Sequence, residues 1–132
     1  MVPSDLRYSK EHSWVRVEQD RAVMGLTDYA QERLGAVVYI DLPAVGERVK
    51  EKTRMTTIES LDGETAEIYA PVSGEVIAVN DNLQHSPELI NDDPYGEGWL
   101  VVIEPSNPGE IRGLLSAEEY EEYLRTEAGL RR

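Results

Sequence analysis

Two strand-like runs closed by one Asp-Gly constrain this chain more than any other feature. Arg54-Met55-Thr56-Thr57-Ile58-Glu59-Ser60 and Thr65-Ala66-Glu67-Ile68-Tyr69 flank Leu61-Asp62-Gly63-Glu64. Asp-Gly between such runs predicts a β-hairpin, because a two-residue loop needs positive φ at both central residues. The tip is then Asp62-Gly63. A short repeat surrounds the hairpin: Ile40, Pro43, Gly46 and Glu47 recur as Ile68, Pro71, Gly74 and Glu75. Each copy reads as strand, Pro turn, then Gly-Glu opening a new strand. Two copies are too few for a solenoid. They suit a pseudo-twofold β domain in which each half completes the other's core.

The remaining pattern is also mainly β. Ser13-Trp14-Val15-Arg16-Val17-Glu18 alternates polar and apolar, the period of a half-buried strand. Gln19-Asp20-Arg21 is a turn, and Ala22-Val23-Met24-Gly25-Leu26 a return strand. Thr27 or Asp28 can cap a short helix near 28–34, with Gly35 as its left-handed stop. Val37-Val38-Tyr39-Ile40 reads as a continuous buried strand, as does Trp99-Leu100-Val101-Val102-Ile103. Ser86-Pro87-Glu88-Leu89-Ile90-Asn91 reads as one helical turn with Pro first. Ser116 and Glu119 form a capping box, and Leu115, Tyr120, Tyr123 and Leu124 share one face of a terminal helix. Trp14, Tyr39, Tyr69 and Trp99 read as core aromatics. A length of 132 residues fits one domain over 1–132, with 129–132 a frayed tail.

Composition narrows the function. Asp and Glu number 26 against 13 Lys and Arg, a formal charge of −13. A field of that sign repels nucleic acid and anionic membrane and favours a basic protein partner. No apolar run is long enough to span a bilayer, and the first residues do not read as a signal peptide. The absence of cysteine removes thiolate metal sites and cysteine nucleophiles, and fits a reducing cytoplasm. His12 and His85 are far apart and belong to no metal-binding spacing, so no metal site is expected. Phosphate-loop, nucleophile-elbow and dinucleotide motifs are missing. The chain therefore does not read as an enzyme, and monomer is the default state.

Longer motifs resemble a known family. Tyr8-Ser9-Lys10-Glu11-His12-Ser13-Trp14 is similar to the N-terminal motif of the glycine cleavage system H-proteins. Gly25-Leu26-Thr27-Asp28-Tyr29-Ala30-Gln31-Glu32-Arg33-Leu34-Gly35 and Val37-Val38-Tyr39-Ile40-Asp41-Leu42-Pro43 resemble their helix and strand. Ile68-Tyr69-Ala70-Pro71-Val72-Ser73-Gly74-Glu75 and Ser86-Pro87-Glu88-Leu89-Ile90-Asn91-Asp92-Asp93-Pro94-Tyr95-Gly96-Glu97-Gly98-Trp99 resemble later signatures. The resemblance runs in register over about residues 6–125 and implies a barrel-sandwich hybrid of the lipoyl-domain type, with extra helices. It also implies a carrier in glycine decarboxylation. There a lipoyl group, amide-linked to a hairpin-tip lysine, takes an aminomethyl group from the P-protein and presents it to the folate-dependent T-protein. The flavoenzyme L-protein then reoxidises the dithiol.

The resemblance fails at the tip. Asp62 stands at the family's lysine position, in a tip formed by Ser60, Leu61, Asp62, Gly63 and Glu64 that is one residue longer. An aspartate has no amine, so the usual lipoyl amide cannot form and no covalent cofactor is expected. The only lysines are Lys10, Lys50 and Lys52, and Lys52 lies about 30 Å from Asp62 along an extended strand. Two further positions depart: Ser13 replaces the family's Glu after His12, and Ala36 replaces an acidic residue after Gly35. Glu67 keeps a carboxylate below the tip. His12, Ser13 and Glu67 are thus candidates to line the cleft, His12 reading first as a satisfied structural histidine. The expected function is an H-protein homologue without its arm, docking P-, T- or L-proteins or lipoate-attaching enzymes. The alternative is a non-catalytic binding module for a different protein or small ligand outside glycine metabolism.

Overall fold

A computed structural model describes residues 2–126. In chain order its elements are β1 (Arg7–Tyr8), β2 (Ser13–Glu18), β3 (Arg21–Leu26), α1 (Asp28–Leu34), β4 (Val37–Asp41), β5 (Arg48–Val49), β6 (Arg54–Ser60), β7 (Thr65–Tyr69) and β8 (Gly74–Val79). A 3₁₀ turn (Asp81–Gln84), α2 (Leu89–Asp92), β9 (Val101–Pro105), α3 (Gly109–Arg112) and α4 (Ala117–Thr126) follow. The strands form two antiparallel sheets, ordered β1-β2-β3-β9-β8-β5 and β4-β6-β7. One buried cluster joins inward residues of both, including Val15, Met24, Val76 and Ile103 from the first and Val37, Ile40 and Ile58 from the second. The expected mainly-β sandwich with a helix at 28–34 and a C-terminal helix is present. The expected frayed tail at 129–132 lies outside the described residues.

The repeat has a structural counterpart. Arg48 pairs with Glu75 and Val49 with Gly74. Gly46 N–H donates to Val76 O at 2.7 Å, and Val76 N–H to Glu47 O at 2.8 Å. The Arg48–Glu75 and Glu47–Val76 contacts exchange under the 28-residue repeat, as a local twofold requires. The equivalent strands β4 and β7 flank β6 on its two sides.

The first hairpin is buried more than alternation predicts. Ser13, Trp14 and Val15 are all buried, while Val17 is exposed. Both sheet faces are covered here. Val15 and Met24 enter the main core. Trp14 and Val23 point the other way, into a second cluster with Leu6, Tyr8, Tyr120 and Leu124 of α4. Trp14 Nε1–H donates to Pro94 O at 2.9 Å. Trp14 lies opposite Gly25. A Cβ there would stand 2.8 Å from the indole ring, so only glycine lets the ring lie across the strand.

The structure corrects several sequence readings. The run at 37–40 is not buried throughout: Val37 and Ile40 are, but Val38 and Tyr39 are exposed, and Tyr39 is not a core residue. The register explains this. Val37 pairs with Ser60 and Tyr39 with Glu59, leaving Val38 as the extra residue of a β-bulge. Positions three apart face opposite ways on a regular strand. The bulge lets Val37 and Ile40 both face the core by turning two residues outward between them. Gly35 ends α1 with φ 84 and ψ −166, outside the left-handed helical basin but in a region reserved for glycine. The strand expected from Trp99 starts at Val101, and Trp99 is only half-buried, as is Tyr69. The helical turn expected from Pro87 begins its helix at Leu89. The 3₁₀ turn and α3 had no clear sequence signal. The C-terminal capping box forms: Ser116 N–H donates to Glu119 Oε1 at 2.9 Å, and Glu119 N–H to Ser116 Oγ at 3.1 Å.

Candidate functional site

The hairpin tip is a three-residue loop, not the two-residue turn that Asp-Gly suggested. Ser60 N–H donates to Glu64 O at 2.8 Å, and Gly63 N–H to Ser60 O at 3.0 Å. Gly63 alone has positive φ, at 90°. That is the three-residue pattern in which a glycine follows a turn. Asp62 folds back within the loop: its Oδ1 accepts from Ser60 Oγ–H, and from Glu64 N–H at 3.2 Å. The Ser60 hydrogen bond foremost, then the backbone N–H, holds the Asp62 carboxyl below its ordinary pKa. The tip therefore presents a fixed, ionised carboxylate.

The tip is braced from its flank. Leu61 N–H donates to Ala36 O at 2.8 Å. The 35–37 segment is held by Asn91 of α2, whose Oδ1 accepts from Val37 N–H at 2.8 Å. Asn91 Nδ2 donates to Gly35 O at 2.8 Å and to Gln31 Oε1 at 2.9 Å. Helix, edge strand and hairpin thus share one anchor that the sequence reading did not single out.

Below the tip lies a cleft of about 470 Å³ between α1, the 64–68 segment and the β1–β2 turn. Its apolar floor includes Leu26 and Ile68; Tyr29 and Arg33 of α1, His12, Glu64 and Glu67 supply polar walls. Thr27 positions this wall by capping α1, its Oγ1 accepting from Ala30 N–H at 3.2 Å. His12 sits in the turn at φ 71. Its Nδ1 shares a 2.8 Å hydrogen bond with Tyr120 OH, which shares another of 2.8 Å with Thr27 Oγ1. Burial first, and Arg33 second, push the His12 pKa down, so neutral imidazole is favoured. The Arg33 guanidinium lies over the Tyr29 ring, 5.4 Å from its centroid. Glu67 Oε1 accepts from Tyr69 OH at 3.0 Å.

Of the predicted cleft residues, His12 and Glu67 come together, joined by Glu64 from the tip. Ser13 does not line the cleft. It is buried, its Oγ 2.7 Å from Ser9 Oγ, so its small side chain closes a turn. Tyr29 and Arg33 were missed as wall residues, although their i,i+4 spacing on a capped helix puts an aromatic and a cation on one face. The cleft is lined with carboxylates, a guanidinium and a neutral imidazole, and the hairpin apex beside it bears no amine.

Two antiparallel sheets with an exposed hairpin tip beside a mixed-polarity cleft define a β-sandwich domain with added helices. Comparison with known proteins places it more closely. The model of the glycine cleavage H-protein family matches residues 6–127. The glycine cleavage system H protein of Coprothermobacter proteolyticus is 49% identical over 124 residues, covering 93% of this chain and 97% of that one. That of Symbiobacterium thermophilum is 47% identical, covering 94% and 96%. The crystal structure of the H protein from Mycobacterium marinum superposes with a TM-score of 0.83 at 32% identity, covering 91% of this chain and 96% of that one. The chain belongs to the glycine cleavage H-protein family, whose members are carriers and not catalysts. No helix among the described residues is long and apolar enough to cross a membrane.

Proposed function

We propose that this chain is an H-protein homologue working without a covalent lipoyl arm, as a docking or regulatory scaffold in glycine cleavage. One observation carries the reading: the apex of the hairpin that bears the family's lipoyl lysine holds Asp62. A lipoyl amide needs an amine, and the tip residues 61–64 offer none. Lys50 and Lys52 precede β6, so its seven residues separate them from the tip. Lys10 lies in the β1–β2 turn. The residues present do not fit the cofactor, and the Ser60 and Glu64 hydrogen bonds give Asp62 a settled structural place instead. In this reading the chain acts in the cytoplasm, binds the P-, T- or L-protein or a lipoate-attaching enzyme through the inherited surface, and modulates or competes with an arm-bearing copy.

Intact-mass measurement on protein purified from its native cells tests this. The expected mass is that of the bare polypeptide; a lipoyl adduct on any side chain overturns the reading. The cleft supports a second reading, since a 470 Å³ cavity with an apolar floor has room for a free small ligand. Binding to none of the P-, T- and L-proteins would favour that binding-module reading, outside glycine metabolism.

A further inference from the structure

The bulge at Val38 turns two adjacent apolar side chains outward. Among the described residues the exposed large apolar side chains are few, and three share one neighbourhood: Val38 (43% exposed), Tyr39 (52%) and Leu61 (74%). Tyr39 pairs with Glu59. Ile58 and Ser60 are buried while Glu59 is exposed, so Glu59 faces outward with Tyr39, and Leu61 follows at the exposed tip, its N–H bonded to Ala36 O just before β4. A regular β4 would turn only one residue outward between Val37 and Ile40. The bulge adds a second apolar residue there, and bulges commonly re-aim side chains beside functional sites.

We propose that this outer face of the β4-β6-β7 sheet, running from Tyr39 to Leu61, docks a protein partner bearing an apolar anchor ringed by lysine and arginine. The proposal rests on the scaffold reading above and names its surface. The rim chemistry selects the partner. Asp41, Glu59 and Asp62 are exposed around the apolar residues. β4, β7 and the tip contain no basic residue, and the one in β6, Arg54, lies at the far end of that strand. A shallow depression of about 210 Å³, between Leu34–Gly35–Ala36 and Ser60–Leu61–Asp62, gives an anchor a seat. The Asn91 bonds fix that seat before binding, which reduces the ordering cost of association. Nucleic acid and anionic lipid are repelled by the rim. A second copy would bring the same carboxylates and a charge of −13 against it.

The test measures calorimetric binding of the purified P-, T- and L-proteins from the same organism to wild type, the Tyr39→Ser/Leu61→Ser double variant, and Val17→Ser. Val17 is exposed on the other sheet. Thermal melts verify that all three are folded. The expected result is that at least one partner binds wild type and Val17→Ser alike, binds the double variant about tenfold more weakly or worse, and weakens with added salt. Undiminished binding by the double variant overturns this surface and leaves the scaffold reading standing. Failure of wild type to bind any of the three overturns the proposal and favours the binding-module reading. A wild-type dimer in sedimentation that the double variant abolishes also overturns the proposal, by making a second copy the occupant.

Discussion

Deleting Val38 should leave this protein folded and nearly as stable, although the deletion falls inside a strand. Val37 faces Ser60, Tyr39 faces Glu59 and Ile40 faces Ile58, with Val38 surplus to the register. Without it β4 becomes regular, Val37 and Ile40 stand two apart, and both still face the core. The Val37–Asn91 and Leu61–Ala36 bonds need no change of partner. Val38 is 43% exposed, so losing it removes roughly half the burial of a valine, about 1 kcal/mol. The comparison is Ile40→Ala, which empties a position only 1% exposed and should cost about 2–5 kcal/mol. Urea denaturation of wild type, the deletion and Ile40→Ala gives the three stabilities on one scale. A deletion as costly as Ile40→Ala would mean that Val38 carries the register and does not interrupt it.

Other predictions follow from the same geometry. Gly25→Ala should cost about 1–3 kcal/mol in a thermal or urea melt, because its Cβ meets the Trp14 ring at 2.8 Å between two packed layers. Ser60→Ala should raise the Asp62 carboxyl pKa toward its ordinary value in an NMR titration, by removing the foremost cause of its depression. Stability should fall as pH drops below about 6.5, the unfolded histidine value, because the folded His12 pKa is lowered and the unfolded chain binds the proton more readily. Replacing His12 with Gln should flatten that part of the profile. Tyr8 and Tyr120 are shifted upward, mainly by burial, so stability should also decline above about pH 10, where the unfolded phenols ionise first.

Local chemistry that decides its own outcome was legible in the sequence. Ser116 and Glu119 cap α4 because both partners of the box lie within one helical turn. Thr27 caps α1 for the same reason. The Asp62-Gly63 hairpin was legible, but its loop length was not. The Ser60–Glu64 pair closes a three-residue loop in which Asp62 turns back on Ser60, a choice that dipeptide statistics do not contain. The 37–40 run looked buried because each residue is apolar; only pairing with β6 reveals the surplus residue that turns Val38 and Tyr39 outward. Ser13-Trp14-Val15 looked half-exposed because α4, which covers Trp14, lies about a hundred residues on. The cleft was half legible. His12 and Glu67 emerged through family resemblance, whereas Arg33 and the Asn91 anchor depend on how α1 and α2 dock. Ser13 was misplaced because its hydroxyl turns inward to Ser9 and closes the turn that carries His12.

Whether the hairpin apex can carry a lipoyl group is tested directly by a lipoate-ligation reaction. Wild type and Asp62→Lys would each be incubated with lipoate, ATP and a lipoate ligase, then weighed intact by mass spectrometry. The expected result is an unchanged mass for wild type and a single lipoyl adduct, even if formed slowly, on Asp62→Lys. A lipoyl adduct on the wild-type chain would contradict it.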